Sequence, residues 1–362
     1  MASQSPAGGG QGGGGQGVGV TQAPPSGPPY LLPVAQLGGT ATTTLDVPIC
    51  AVLIAIFVTG AALNMTIFRR NLGRGHKFIP SALTFGFCMV RINAAAMRIA
   101  LACHPTNVSL AIAAGVFFNA GVLIFFIINL IFLQRLVRAY HPRLGWGRPL
   151  TFFFRSLYFG VFACLAMVIT AVVYGFYTLD QGVQLKLRDI RRTAAVFMAI
   201  LAFIPLPGTI LCVLAAPQGG AADPFGTGSM RTKVALVIFT SSLLALGAGF
   251  RCAVGFMPRS LADPGWFNHK ACYYVLNYVI EIVIVFTYAL SRFDRRFWIP
   301  NGSCKPGDYS SAAPGPDPWK PAVEDAETSP EEERIPTADE ERQREQSWEK
   351  HLRSELRQKE AV

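Results

Sequence analysis

The chain has 362 residues, 51% of them hydrophobic and 15% charged, with a formal net charge of +10 and a mean hydropathy of +0.35. Soluble domains carry roughly 25% charged residues, so this composition excludes a globular protein dissolved in water. Residues 317–362 hold 14 of the 22 acids, and no basic–aromatic motif accompanies the excess of Lys and Arg. That distribution argues against nucleic acid as a partner and points to loops facing anionic lipid headgroups.

Residues 1–47 contain no Lys or Arg and are rich in Gly, Pro, Gln and Ser. They lack the charged start of a signal peptide and read as a disordered tail, too poor in apolar side chains to offset their ordering entropy. Seven apolar runs follow, each about the 20 residues needed to cross a bilayer core of ~30 Å. They are Pro48–Phe68, Phe78–Ala102, Val108–Leu133, Leu150–Tyr177, Thr193–Ala216, Val234–Met257 and Ala271–Leu290. The second and fourth are long enough to tilt. Pro205 and Pro207 predict a break in the fifth. The fold class is therefore an all-α transmembrane bundle over residues 48–290. A tail over residues 291–362 combines a Pro/Gly/Ser-rich linker with a charged helical end, where Trp348, Leu352 and Leu356 share one face.

Loops after the odd-numbered spans hold thirteen Lys and Arg, against six in the loops after the even-numbered ones. The positive-inside rule then puts the N-terminus outside and the C-terminus in the cytosol. The loop Leu179–Arg192 opposes the rule with Lys186, Arg188, Arg191 and Arg192. Its bases lie on an outer-face helix or bind an anionic partner; a six-span count would relocate them.

Charges at membrane depth cost roughly 3 kcal/mol or more and need a reason. Glu281 is the one carboxylate inside these seven runs, whereas Arg91, Arg98 and Arg251 all lie well within them. At ~1.5 Å per residue, Arg91 and Glu281 both fall near the bilayer middle. They are expected to pair, with Asn277 one turn away, and reversal of both charges should restore what each single change loses. Two arginines remain without an acid in the spans. Either Arg98 and Arg251 snorkel to the interface, or they line a cavity with Asn119 that binds an anionic ligand or lipid headgroup. Of eight scattered cysteines, Cys103 and Cys272 form the candidate disulfide at the outer face. Cys103, His104, His269 and Cys272 lack the tight spacing of a metal site, and neither metal nor cofactor is assigned. The last span has no Schiff-base Lys, and no catalytic constellation emerges.

The stretches Arg74-Gly-His-Lys-Phe78, Phe85-Gly-Phe-Cys-Met89, His104 to Ala114, Asn129-Leu-Ile-Phe132 and Asp294-Arg-Arg-Phe297 resemble a fungal family of seven-span membrane proteins of unknown function. The resemblance covers roughly residues 45–303. Members are sometimes labelled family-C-like G-protein-coupled receptors, an associational warrant. The chain departs from the rhodopsin-like pattern: span three ends Gln134-Arg135-Leu136, and span seven ends Tyr288 to Ser291 without an Asn-Pro-x-x-Tyr motif. The functional expectation is a non-enzymatic, receptor-like membrane protein of the plasma membrane, with basic loops and C-tail meeting a cytosolic signalling partner. A transporter or lipid-handling protein for an anionic ligand is the alternative, and a membrane-embedded enzyme the third.

Overall fold

The structure is a computed structural model that describes residues 27–30, 35–215 and 222–310. Seven helices are long and apolar enough to cross a membrane: α1 Asp46–Gly73, α2 Ile79–Cys103, α3 Val108–Tyr140, α4 Arg148–Gly175, α5 Gln181–Leu214, α6 Met230–Phe256 and α7 Lys270–Leu290. Among the described residues there is no strand. The shortest, α7, has 21 residues and so still reaches across a core of ~30 Å. The chain is thus a multi-pass helical membrane protein. Its two ends are named below for residues at either end of α1, the Asp46 end and the Arg74 end.

Polarity is arranged inside out. Phe159 and Leu214 are 74% and 77% exposed, whereas Arg91, Asp46 and Asn277 are fully buried. Water would not tolerate that outer surface; lipid tails do. α3 is central: its second half buries Leu123, Phe125, Phe126, Ile128, Leu130, Phe132 and Leu133, residues that point in every direction around the helix. α4 is peripheral. It buries only Phe154, Val161, Cys164, Val168, Ala171 and Gly175, a single seam at steps of seven, three and four.

Three spans are interrupted, each for a local reason. α3 breaks at Val122, just after Gly121. α5 breaks at Ile204 and restarts with Pro205 in its first turn, as the prolines predict. Pro205 has no N–H to donate and its ring crowds the preceding turn, but at a helix start neither matters. α7 widens into a π-helical stretch at Tyr274–Val279. Gly247 of α6 allows this, since a Cβ there would lie 3.0 Å from the Leu276 carbonyl oxygen.

All helix starts match the apolar runs to within four residues except α5, which begins at Gln181 rather than Thr193. The Asp180 carboxylate caps it, accepting from the Gly182 and Val183 amides. Leu179–Arg192 is therefore mostly helix, and its basic residues ride on a rod continuous with the span.

The tail reading also needs correction. Residues 35–45 lie against the Asp46 end: the Ala35 amide donates to the Arg259 carbonyl, and the Gly38 amide to that of Asn268. Gly38, at φ +84°, sits where a Cβ would be 2.7 Å from the Tyr273 ring. Gly38, one of the glycines that suggest disorder from composition, is here what lets this backbone approach the helices. The expected charged helical end over 337–360 and the expected linker beyond Ser310 lie outside the described residues.

At the Arg74 end, Arg292 takes a left-handed conformation (φ 51°) and turns the chain into a short helix, Phe293–Arg296. The buried Asp294 carboxylate holds this turn, accepting from Arg292 and from the Asn71 side chain, each at 3.1 Å. The Thr227 amide then donates to the Arg295 carbonyl. Gly226 (φ +55°) lies so close that a Cβ would sit 2.3 Å from the Arg296 carbonyl oxygen. Gly226→Ala is expected to cost about 1–3 kcal/mol through strain and clash. Gly86→Ala, in open space on α2, should cost nothing. SDS-driven unfolding in mixed micelles compares the two; equal midpoints would remove this account of the loop.

Candidate functional site

Two layers of paired charges lie inside the bundle, with a set of chambers beside them. The middle layer centres on Arg91. Its guanidinium donates to the Glu281 carboxylate and, at 2.9 Å, to the Phe118 carbonyl. The break of α3 at Val122 leaves that carbonyl available. The rings of Phe87, Phe118 and Tyr278 lie 5.4–5.6 Å from the guanidinium carbon, within cation–π range. Gly121 makes the room: a Cβ would sit 3.2 Å from the guanidinium. Arg251 approaches the same Glu281 oxygen at 4.0 Å and donates to the Asn277 side-chain oxygen at 3.2 Å. Asn277 in turn donates to the Tyr273 carbonyl within the π-helical stretch. One carboxylate thus serves two guanidiniums, and its second oxygen has no partner among the described residues.

The second layer, at the Asp46 end, is not expected from the apolar runs as bounded above. Among the described residues, the fully buried Asp46 carboxylate accepts from Arg98 Nε (3.1 Å), Lys270 Nζ (2.5 Å), Tyr274 Oη (2.6 Å), and the amide and hydroxyl of Thr42. Arg98 also donates to the Gly38 and Gly39 carbonyls and lies over the Tyr273 ring. The statement that Glu281 is the sole acid within the spans is therefore wrong, and so is the inference that two arginines lack one. Asp46 escaped because the span was started at Pro48, whereas the helix begins two residues earlier. Pro48 is tolerated in the first turn, where N–H groups have no intrahelical acceptor anyway. The signal was present in an acid just ahead of an apolar run, where the helix dipole favours negative charge.

Arg98, Arg251 and Asn119 do not converge on one cavity. Asn119 lines two chambers, of about 270 and 180 Å³. Arg98 lines the larger and Arg251 the smaller, and Asn119 donates to the Gly115 carbonyl of its own helix. The residue common to both chambers, and to a third of about 500 Å³, is Arg191. Among the described residues Arg191 has no acid or hydrogen-bond acceptor within bonding distance, and Arg188, one turn earlier, repels its charge. No Asp or Glu lines any of the three chambers. Hydropathy alone places Arg191 in a loop; α5, helical from Gln181, carries it inward.

All eight cysteines are free thiols, so Cys103 and Cys272 form no bond in this structure. Cys272 sits on the first turn of α7 and points its thiol toward the Trp266 carbonyl. His269 accepts from the Ala271 amide and caps α7. Among the described residues no group of three or more His, Cys, Asp or Glu side chains is placed to hold a metal ion.

A family model described as a protein of unknown function (DUF3112) matches residues 226–298. That stretch contains α6 and α7, and with them Arg251, Lys270, Asn277, Glu281 and Asp294. Asp46, Arg91, Arg98 and Arg191 lie outside it. No curated protein and no solved structure matches the chain.

Proposed function

We propose that this membrane protein binds an anionic ligand at its Asp46 end and passes the occupancy of that site to the Arg74 end, as a receptor does. The supporting observation is Arg191: a half-buried guanidinium common to three acid-free chambers, without an acceptor among the described residues. Arg stays ionised under ordinary conditions, so a carboxylate or phosphate is its natural complement. Arg251 offers the route inward. It faces one chamber and reaches Asn277 and Glu281 from behind, so an anion that draws it forward loosens the π-helical stretch of α7. With the N-terminus outside, as the basic loops argue, the ligand is met from outside or from the outer leaflet, and the plasma membrane is the expected location. The basic Arg74 end then meets the cytosolic partner, in keeping with the receptor label sometimes given to the fungal family it resembles. This reading is non-enzymatic.

Hexanoate, compared with hexanol, tests the anion site by thermal shift of the purified protein in detergent. Hexanoate should stabilise and hexanol should not. Arg191→Gln should weaken hexanoate about 10–100-fold, the equivalent of a lost charge-assisted hydrogen bond of about 1.5–3 kcal/mol. Equal responses to acid and alcohol, or an unchanged Arg191→Gln variant, would remove the anion site. Capture of G-protein α subunits, released by a non-hydrolysable GTP analogue, tests the receptor role. The breaks in α3 and α5 favour transport as the second reading, because discontinuous helices line many transporter sites. Anion flux in proteoliposomes without such capture would select it.

A further inference from the structure

The largest of these three chambers is lined on one side by Arg188, Arg191 and Arg192 of α5 and on the other by Val254 and Gly255 of α6 and by Met257 just after it. A groove on the outside of the bundle lies next to it. Asp189, Arg192, Val196, Phe197, Ile200 and Phe256 line this groove, and Arg192 belongs to both spaces. Asp189, Arg192, Val196 and Ile200 recur at steps of three and four, so they form one stripe down α5, with Phe197 beside it. That stripe changes character along its length. It is charged at 189 and 192 and apolar from 196 to 200, a run of about 16 Å from Asp189 to Ile200.

α5 has 34 residues, or about 51 Å of helix, against a hydrocarbon core of ~30 Å. The excess lies at its charged start, which places Arg188 and Arg192 at headgroup level and Ile200 among acyl chains. Arg192 is fixed there, donating to the Gly255 carbonyl at 3.1 Å and lying over the Phe256 ring. Asp189 offsets part of the charge, pairing with Arg192 at 3.7 Å and Arg188 at 3.9 Å while remaining mostly exposed. Bases still outnumber acids on this first stretch of α5, with Lys186, Arg188, Arg191 and Arg192 against Asp189. Inward, Arg191 and Gly255 are shared with the small chamber that Arg251 faces, and a Cβ on Gly255 would meet nothing within 4 Å. Arg192, which lines both the groove and the chamber and is bonded to the Gly255 carbonyl, must swing aside for a headgroup to pass from one to the other.

We infer that the ligand is a membrane-derived anionic amphiphile, with a carboxylate or phosphate monoester headgroup, that enters sideways between α5 and α6. Its headgroup passes Arg192 to reach Arg191, and its acyl chain lies in the groove along Val196, Ile200 and Phe256. This rests on the anion site proposed above and names its ligand class. Dissolved anions of the same headgroup chemistry lack the chain that the groove accommodates.

Native mass spectrometry of the full chain, released from micelles carrying palmitoyl-oleoyl phosphatidate or the matching phosphatidylcholine, reads the site directly. One phosphatidate per protein should be retained, at an affinity at least tenfold above phosphatidylcholine. Arg188→Gln combined with Arg192→Gln should reduce retention at least tenfold, whereas Arg192→Lys, which keeps the charge, should stay within about threefold. Ile200→Trp, which fills the groove, should also reduce retention tenfold. Val58→Trp, on the half-exposed outer face of α1, should leave it unchanged and serves as the folded control. Equal effects of the two Trp variants would mean attraction of lipid to the protein perimeter and would overturn the groove. If millimolar inorganic phosphate displaces phosphatidate in an Arg191-dependent manner, the anion site stands and the sideways route falls. Loss of every Arg191 dependence would overturn both.

Discussion

Replacing Glu281 with Leu is expected to destabilise the bundle by about 3–5 kcal/mol, because it leaves the fully buried Arg91 without its counter-charge. The effect should be graded by chemistry. Glu281→Gln keeps an acceptor oxygen for the guanidinium and should lose less, about 1–3 kcal/mol. Arg91→Leu together with Glu281→Leu should recover much of the loss, since burying neither charge avoids the desolvation cost of both. Charge reversal should fail, against the expectation drawn from the sequence. A carboxylate at position 91 would face the Phe118 carbonyl oxygen and three aromatic rings, all of which present negative potential. The environment of Arg91 is built for a cation and is not interchangeable with that of Glu281. SDS titration in mixed micelles gives the ranking. Rescue by reversal to within about 1 kcal/mol of the parent would show that the aromatic cage contributes little.

A loss of similar size, about 3–5 kcal/mol, is expected for Asp46→Ala, which leaves both Arg98 and Lys270 without their acid at once. Lys270 has a route out: its side chain is partly exposed and can snorkel to the interface. Arg98 does not, being held against Gly38, Gly39 and Tyr273. The damage should therefore be local and readable. Hydrogen exchange should quicken over residues 35–45, whose place depends on Thr42 and on the Gly38 contacts, while the Arg74 end keeps its protection. Asp46→Asn should also raise anion binding, because Arg98 lines one of the chambers that Arg191 shares. Unchanged exchange over residues 35–45 would mean that Asp46 does not hold this segment.

Much of the candidate site was legible in part. Depth estimated from helical rise put Arg91 level with Glu281, and the structure places them in contact. Asn119, Arg251 and Arg98 were expected around one polar cavity; the structure divides them between two chambers, Arg98 in one and Arg251 in the other. Arg191 was passed over because hydropathy cannot see an amphipathic helix extension: the bases that end an apolar window do not end the hydrogen-bonded turns. Asp46 was passed over for the complementary reason, a Pro read as the first residue of a helix that had already begun.

The number of spans, their order and the break at Pro205 follow from the sequence by itself, since each depends on one stretch of chain. An apolar run of about 20 residues must satisfy its backbone internally whatever surrounds it, and a proline interrupts a helix through its own ring. Beyond the Arg91–Glu281 pair that helical depth suggests, which charges neutralise which was decided only by tertiary structure. Arg98 and Asp46 are 52 residues apart, Arg91 and Glu281 190, and Lys270 and Asp46 224. Such partners meet through the packing of α1, α2 and α7, and that packing consumes the acid for Arg98 while leaving Arg191 facing open chambers. Whether an interior arginine is structural or awaits a ligand depends on what lies within about 4 Å of it, a property of helix packing that no single span carries.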